Sequence, residues 1–123
     1  MKTVYFVHDR QENPAHRQQT LEMAGYRVIE FSNGEAAFEA CQEEVPSVLV
    51  MDILIEGANG FDMARQFRAQ YKPQELPILL TSKIYRGRLY REEARAAGAQ
   101  SFLLRPLDLD EFLHEVGTLC GEL

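Results

Sequence analysis

The feature that most constrains the fold of this chain is a set of short apolar runs, each stopping abruptly at polar side chains. Val4 to Val7 ends at His8-Asp9, Val48 to Met51 at Asp52, Ile78 to Leu80 at Thr81-Ser82, and Phe102 to Leu104 at Arg105. Runs this short and this apolar read as strands buried on both faces, the pattern of a parallel sheet covered by helices. With a further strand after Gly25, strand and helix patterns alternate five times, with strands over about residues 2–7, 26–31, 47–51, 77–81 and 100–104. Right-handed crossovers then leave one economical solution. It is an α/β three-layer sandwich, a five-stranded parallel sheet in the flavodoxin-like order 2-1-3-4-5 with helices on both faces.

The helical stretches carry their own punctuation. Asn13 caps a first helix with Pro14 at its opening position, Asn33 precedes the Ala36-Ala37-Ala40-Cys41 face, and Gly60 precedes Phe61-Ala64-Phe67. Gly25 and Gly98 are helix stops. Asp108 and Glu111 have capping-box spacing, and Leu109, Phe112, Leu113, Val116 and Leu119 form the expected inner face of the last helix. The first helix is the weak member. His16-Arg17-Gln18-Gln19-Thr20 supplies little apolar surface, leaving Ala15, Leu21 and Ala24 to face the sheet. Met23, Met51 and Met63 read as packing residues, and His16 and His114 as surface residues.

With 123 residues and 46% hydrophobic content, the expected organisation is one domain over residues 1–123, with a downstream output domain left open. The net charge of -6 argues against direct nucleic-acid binding. Two isolated cysteines without metal-ligand spacing, no signal-peptide pattern and no membrane-length apolar stretch point to a cytoplasmic protein with reduced thiols.

Strand ends that share one sheet edge make a site, because ligands of open parallel sheets bind outside the carboxyl ends of the strands. Asp9 and Asp52 would flank the switch point and share one hard cation, for which Mg2+ is the natural candidate. Asp52 can then act as a nucleophile toward a phosphoryl group. The hydroxyl of Thr81 and the planar fork of Arg105 suit phosphoryl oxygens.

Taken in order, these segments resemble the receiver domain of two-component response regulators. Val7-His8-Asp9 is similar to that family's acidic segment, Val50-Met51-Asp52-Ile53-Leu54 to its phosphoacceptor strand, Leu76 to Ser82 to the strand bearing its switch hydroxyl, and Gly98 to Pro106 to its closing motif. The resemblance implies Asp52 as phosphoacceptor, with Asp9 and the backbone carbonyl of Leu54 as further metal ligands and His8 as a weaker one. It also implies Thr81 and Phe102 as the hydroxyl and aromatic of a conformational switch. The implied partners are a histidine kinase or phosphotransfer protein as donor, and a downstream protein or output domain reading helix four, strand five and helix five. A homodimer is an open alternative.

Two departures qualify this resemblance. His8 stands where the family has an acid, which predicts weaker magnesium binding, and Arg105 stands where it has a lysine, which predicts phosphoryl binding without the usual transmission. Both favour a second reading, a phosphorylation-independent pseudo-receiver acting as a protein–protein interaction module. The basic segment Lys83 to Arg91 reads as a partner-facing patch. A phosphatase or flavoprotein on the same architecture is disfavoured, because no phosphate-binding loop follows the first strand.

Overall fold

Five parallel strands form the centre of the protein in a computed structural model that describes residues 1–8 and 13–121. They are β1 (Thr3–Val7), β2 (Arg27–Phe31), β3 (Val48–Asp52), β6 (Ile78–Ser82) and β7 (Ser101–Leu104), in the order β2-β1-β3-β6-β7. That is the flavodoxin-like order expected from the sequence. The labels shift only because a two-residue hairpin, β4 (Leu54–Ile55) with β5 (Ala58–Asn59), follows β3. Every residue of β1, β3 and β6 is buried, as strands covered on both faces require.

Strand alternation sorts the core into two layers. Tyr5, Val7, Leu49, Met51, Ile78, Leu80 and Phe102 face α2 (Gly34–Cys41), α3 (Gly60–Gln70) and α4 (Arg88–Ala96). Val4, Phe6, Val48, Val50, Leu79 and Leu103 face α1 (Ala15–Met23) and α5 (Leu109–Leu119), meeting Leu21, Phe112 and Val116.

Two of the expected caps are in place. Asn33 accepts from the Ala36 amide at 2.8 Å, and Asp108 accepts from Asp110 and Glu111 at 2.9 and 3.1 Å. By contrast, α1 starts one residue later than expected, with Pro14 rather than Asn13 at its N-cap and Asn13 Oδ1 accepting from the Ala15 amide at 3.0 Å. Gly25 and Gly98 adopt positive φ of 98° and 103° where α1 and α4 stop. Three packing expectations fail. Met23 is 88% exposed, Leu109 turns partly to solvent at the mouth of a cleft, and Ala15 and Ala24 lie outside the core. The side chains of α1 that turn to the sheet are Leu21 and, one turn earlier, Arg17.

Candidate functional site

Asp52 closes β3, and the sheet register sets Thr81 of β6 directly beside it. Alternation along β3 sends Asp52 to the same side as Val48 and Val50, the layer covered by α1 and α5. The carboxylate therefore emerges beneath the first turns of α1. Its side chain is 0% exposed, so it needs partners that replace water.

Those partners come from three elements. The Thr81 hydroxyl donates a short hydrogen bond to Asp52 Oδ1. Arg17 spans both oxygens, with Nη1 donating to Oδ1 at 2.8 Å and Nη2 to Oδ2 at 3.3 Å. Arg105 brings its Nη1 to 3.7 Å from Oδ2, and its backbone amide is fixed on the Ser82 carbonyl at 2.8 Å. Burial alone would push the Asp52 carboxyl up. The hydrogen bonds and charge of Arg17, the charge of Arg105 and the bond from Thr81 outweigh it and hold the group below the usual carboxylate range.

Arg17 is itself held in place. Only 7% of the residue is exposed, and its guanidinium carbon lies 4.7 Å from the centre of the Phe6 ring. Phe6 belongs to the fully buried α1/α5 layer, so the guanidinium is clasped between an aromatic face and a carboxylate.

Asp52, Thr81 and Arg105 thus meet as the sequence suggested. Asp9 lies outside the described residues. His8 is half-buried at the end of β1, with Nε2 3.7 Å from the Glu30 carboxylate on β2 and its ring edge-on to Phe6 at 5.6 Å. Leu54 begins β4, paired with Asn59. Phe102 is buried in the opposite layer, in register with Leu80, while Leu103 is the register partner of Thr81. The side chains of Thr81 and Phe102 therefore leave opposite faces of the sheet. The Arg91 guanidinium sits 6.0 Å from the Phe102 ring centre.

The residue that sequence reasoning missed is Arg17. A signal existed, because Arg17 and Leu21 are four apart and one helical stripe carries both toward the sheet. The basic segment Lys83 to Arg91 is largely a solvated face, with surface contacts at two of its arginines. Arg88 pairs with Glu92 at 3.0 Å, and Arg86 donates to the Arg105 carbonyl at 3.3 Å.

A cleft of about 390 Å³ opens beside the buried pair, lined by Asn13, His16, Arg17, Lys83, Arg105 and the apolar residues Pro106, Leu107 and Leu109. No helix of the described residues is long and apolar enough to cross a membrane.

Comparison with known proteins bears on this edge. The family model described as the response regulator receiver domain matches residues 4–117. The polar-differentiation response regulator DivK of Brucella anthropi is 22% identical, over 98% of each chain. The protein PilH of Pseudomonas aeruginosa is 26% identical over 80% of this chain and 81% of its own. Among solved structures, the receiver domain of the sensor histidine kinase PA1611 of Pseudomonas aeruginosa superposes with a TM-score of 0.84 at 23% identity, covering 98% of each chain. That structure carries a magnesium ion coordinated in its active-site cleft.

Proposed function

Because the chain belongs to the response regulator receiver domain family, we propose that it is a signalling module whose Asp52 accepts a phosphoryl group from a histidine kinase or phosphorelay protein. The observation that carries this reading is the convergence of Thr81 and Arg105 on the Asp52 carboxylate. A carboxylate oxygen attacks the phosphorus of a phosphohistidine, the P–N bond breaks, and the departing imidazole takes up a proton as the acyl phosphate forms. Thr81 then donates to one phosphoryl oxygen, and Arg105 meets another with its charge.

The magnesium ion implied by the family resemblance does not fit the described donors as they stand. Both Asp52 oxygens are occupied by one guanidinium, and a second lies within 4 Å, so a divalent cation there would meet two positive groups. A cation joins this reading only with Arg17 withdrawn. The surface of α4, β7 and α5 is the proposed output face, with Ile84 and Leu89 exposed on its approach, and a homodimer through it remains the alternative.

A second reading, the phosphorylation-independent interaction module, is favoured by a specific observation. Before any phosphoryl group is present, Thr81 already donates to Asp52 and Phe102 is already buried. One experiment separates the two. Incubation with acetyl phosphate or a phosphorylated histidine donor should add one phosphoryl group, lost in Asp52→Asn. No labelling of the folded wild type, with partner binding equal in wild type and Asp52→Asn, would establish the second reading instead.

A further inference from the structure

We propose that Arg17 is the chain's resident counter-cation for Asp52, occupying the carboxylate so that the Arg17–Asp52 pair and a divalent metal exclude one another. The inference rests on the reading of Asp52 as the functional carboxylate. It goes beyond that reading by assigning to α1 a residue that governs whether the site takes metal.

Four observations support it. First, the pair is bidentate, so one guanidinium covers both oxygens that a metal or a phosphorus atom would need. Second, Arg17 is built into the core rather than lying across the surface, since its guanidinium rests on Phe6 and the next turn of α1 is anchored by buried Leu21. Third, Arg105 lies on the same carboxylate. With two guanidiniums already offsetting its charge, the Asp52 carboxylate attracts a further cation far less than a lone one would. Fourth, Arg17 lines the cleft of about 390 Å³ beside Asn13, His16 and Lys83. That cleft lies directly against Arg17, so it is the space a displaced guanidinium would enter when Asp52 is engaged by something else.

The consequence is a site whose metal affinity is set by an exchange of cations. Magnesium must displace a preformed, partly dehydrated ion pair, and loss of one favourable contact of about 1.4 kcal/mol corresponds to tenfold in affinity. Removing the Arg17 charge removes the competitor while leaving Asp52, Thr81 and Arg105 in place.

The test is a magnesium titration of the whole chain, followed by amide chemical shifts at Asp52, Thr81 and Ser82 and by thermal stabilisation. Wild type is compared with Arg17→Met, which keeps an apolar stem over Phe6, and with Arg17→Gln. At least tenfold tighter magnesium binding in both variants is expected. Equal affinity within twofold, or no binding in any of the three, would overturn the proposal. Should either variant fail to fold, the wild type decides alone through the Arg17 guanidinium NMR signals. These must shift in step with magnesium occupancy, and occupancy with unchanged Arg17 signals would refute mutual exclusion. Acetyl phosphate labelling of Arg17→Met tests the other reading separately. Tighter metal binding without labelling keeps the role of Arg17 and ends phosphoacceptance, whereas labelling with unchanged metal affinity does the reverse.

Discussion

Arg17 and Asp52 form a two-pronged ion pair between the start of α1 and the end of β3, with nitrogen–oxygen distances of 2.8 and 3.3 Å and almost no solvent exposure on either side. Removing one member of a buried pair leaves an uncompensated charge, which costs about 3–5 kcal/mol in general. Arg17→Ala should fall toward the low end, because Arg105 remains near Asp52. Asp52→Leu should cost more, since it removes the carboxylate that Arg17 grips and that Arg105 approaches. A double-mutant cycle by urea denaturation should return a coupling of about 1–3 kcal/mol. A coupling below roughly 0.5 kcal/mol would mean that the two side chains contribute independently.

The same carboxylate makes stability depend on pH in a definite direction. Burial raises the Asp52 pKa, but Arg17, Arg105 and Thr81 together bring the folded value below the unfolded one. A depressed folded pKa contributes stability that is fully present above the unfolded value of about 3.9 and is lost as pH falls through the folded value. The stability gap between wild type and Asp52→Asn should therefore be largest near neutral pH and narrow in acid below about pH 4. A gap that stays constant down to the lowest pH at which both fold would contradict the depressed pKa.

Much of this architecture was legible because it follows from one-dimensional signals. Short apolar runs within fully buried strands dictate a doubly covered sheet, Asn33 and Asp108 announce helices through local hydrogen bonds, and Asp52, Thr81 and Arg105 each stand at or next to a strand end on the same edge. What escaped is a long-range electrostatic choice. Arg17 is a polar residue in a polar helix, and its burial is stable only because a carboxylate 35 positions away needs a partner. Hydropathy penalises such a residue wherever it is placed, so Ala15 and Ala24 looked like the better candidates. The exposure of Met23 has the same origin, since α1 is oriented by Arg17 and Leu21 rather than by its apolar content.

Arg68 offers a stability test remote from the site. Its Nε and Nη2 both donate to the Gly98 carbonyl, at 3.1 and 2.7 Å, and Nη1 donates to the Tyr71 and Leu76 carbonyls at 3.0 and 2.9 Å. One fork thereby joins the end of α3, the approach to β6 and the turn after α4. A lysine cannot reproduce a fixed planar fork. Arg68→Lys should cost about 2 kcal/mol and Arg68→Ala somewhat more, because several part-buried carbonyls lose their donors. Urea midpoints unchanged within roughly 0.5 kcal/mol would show that water replaces the arginine without penalty.

Gly60 couples the helix start of α3 to the strand end that carries Asp52. A Cβ at Gly60 would lie 2.8 Å from the Asp52 carbonyl oxygen and 2.8 Å from the Ile53 Cα, both backbone atoms, while the Gly60 amide donates to the Ile53 carbonyl at 2.6 Å. Alanine gains up to about 1 kcal/mol of helix propensity over glycine, but forcing a methyl into packed backbone costs about 1–3 kcal/mol, so the clash wins. Gly34→Ala is the control. The three atoms nearest its Cβ all belong to the buried Met63 side chain, at 2.6 to 2.9 Å, so the strain falls on a side chain that must repack rather than on backbone. Gly60→Ala should lower stability by more than Gly34→Ala and slow phosphodonor labelling by displacing the Asp52 backbone. Equal melting temperatures for the two variants, with equal labelling rates, would show that the end of β3 and the start of α3 can move apart at no cost to the site.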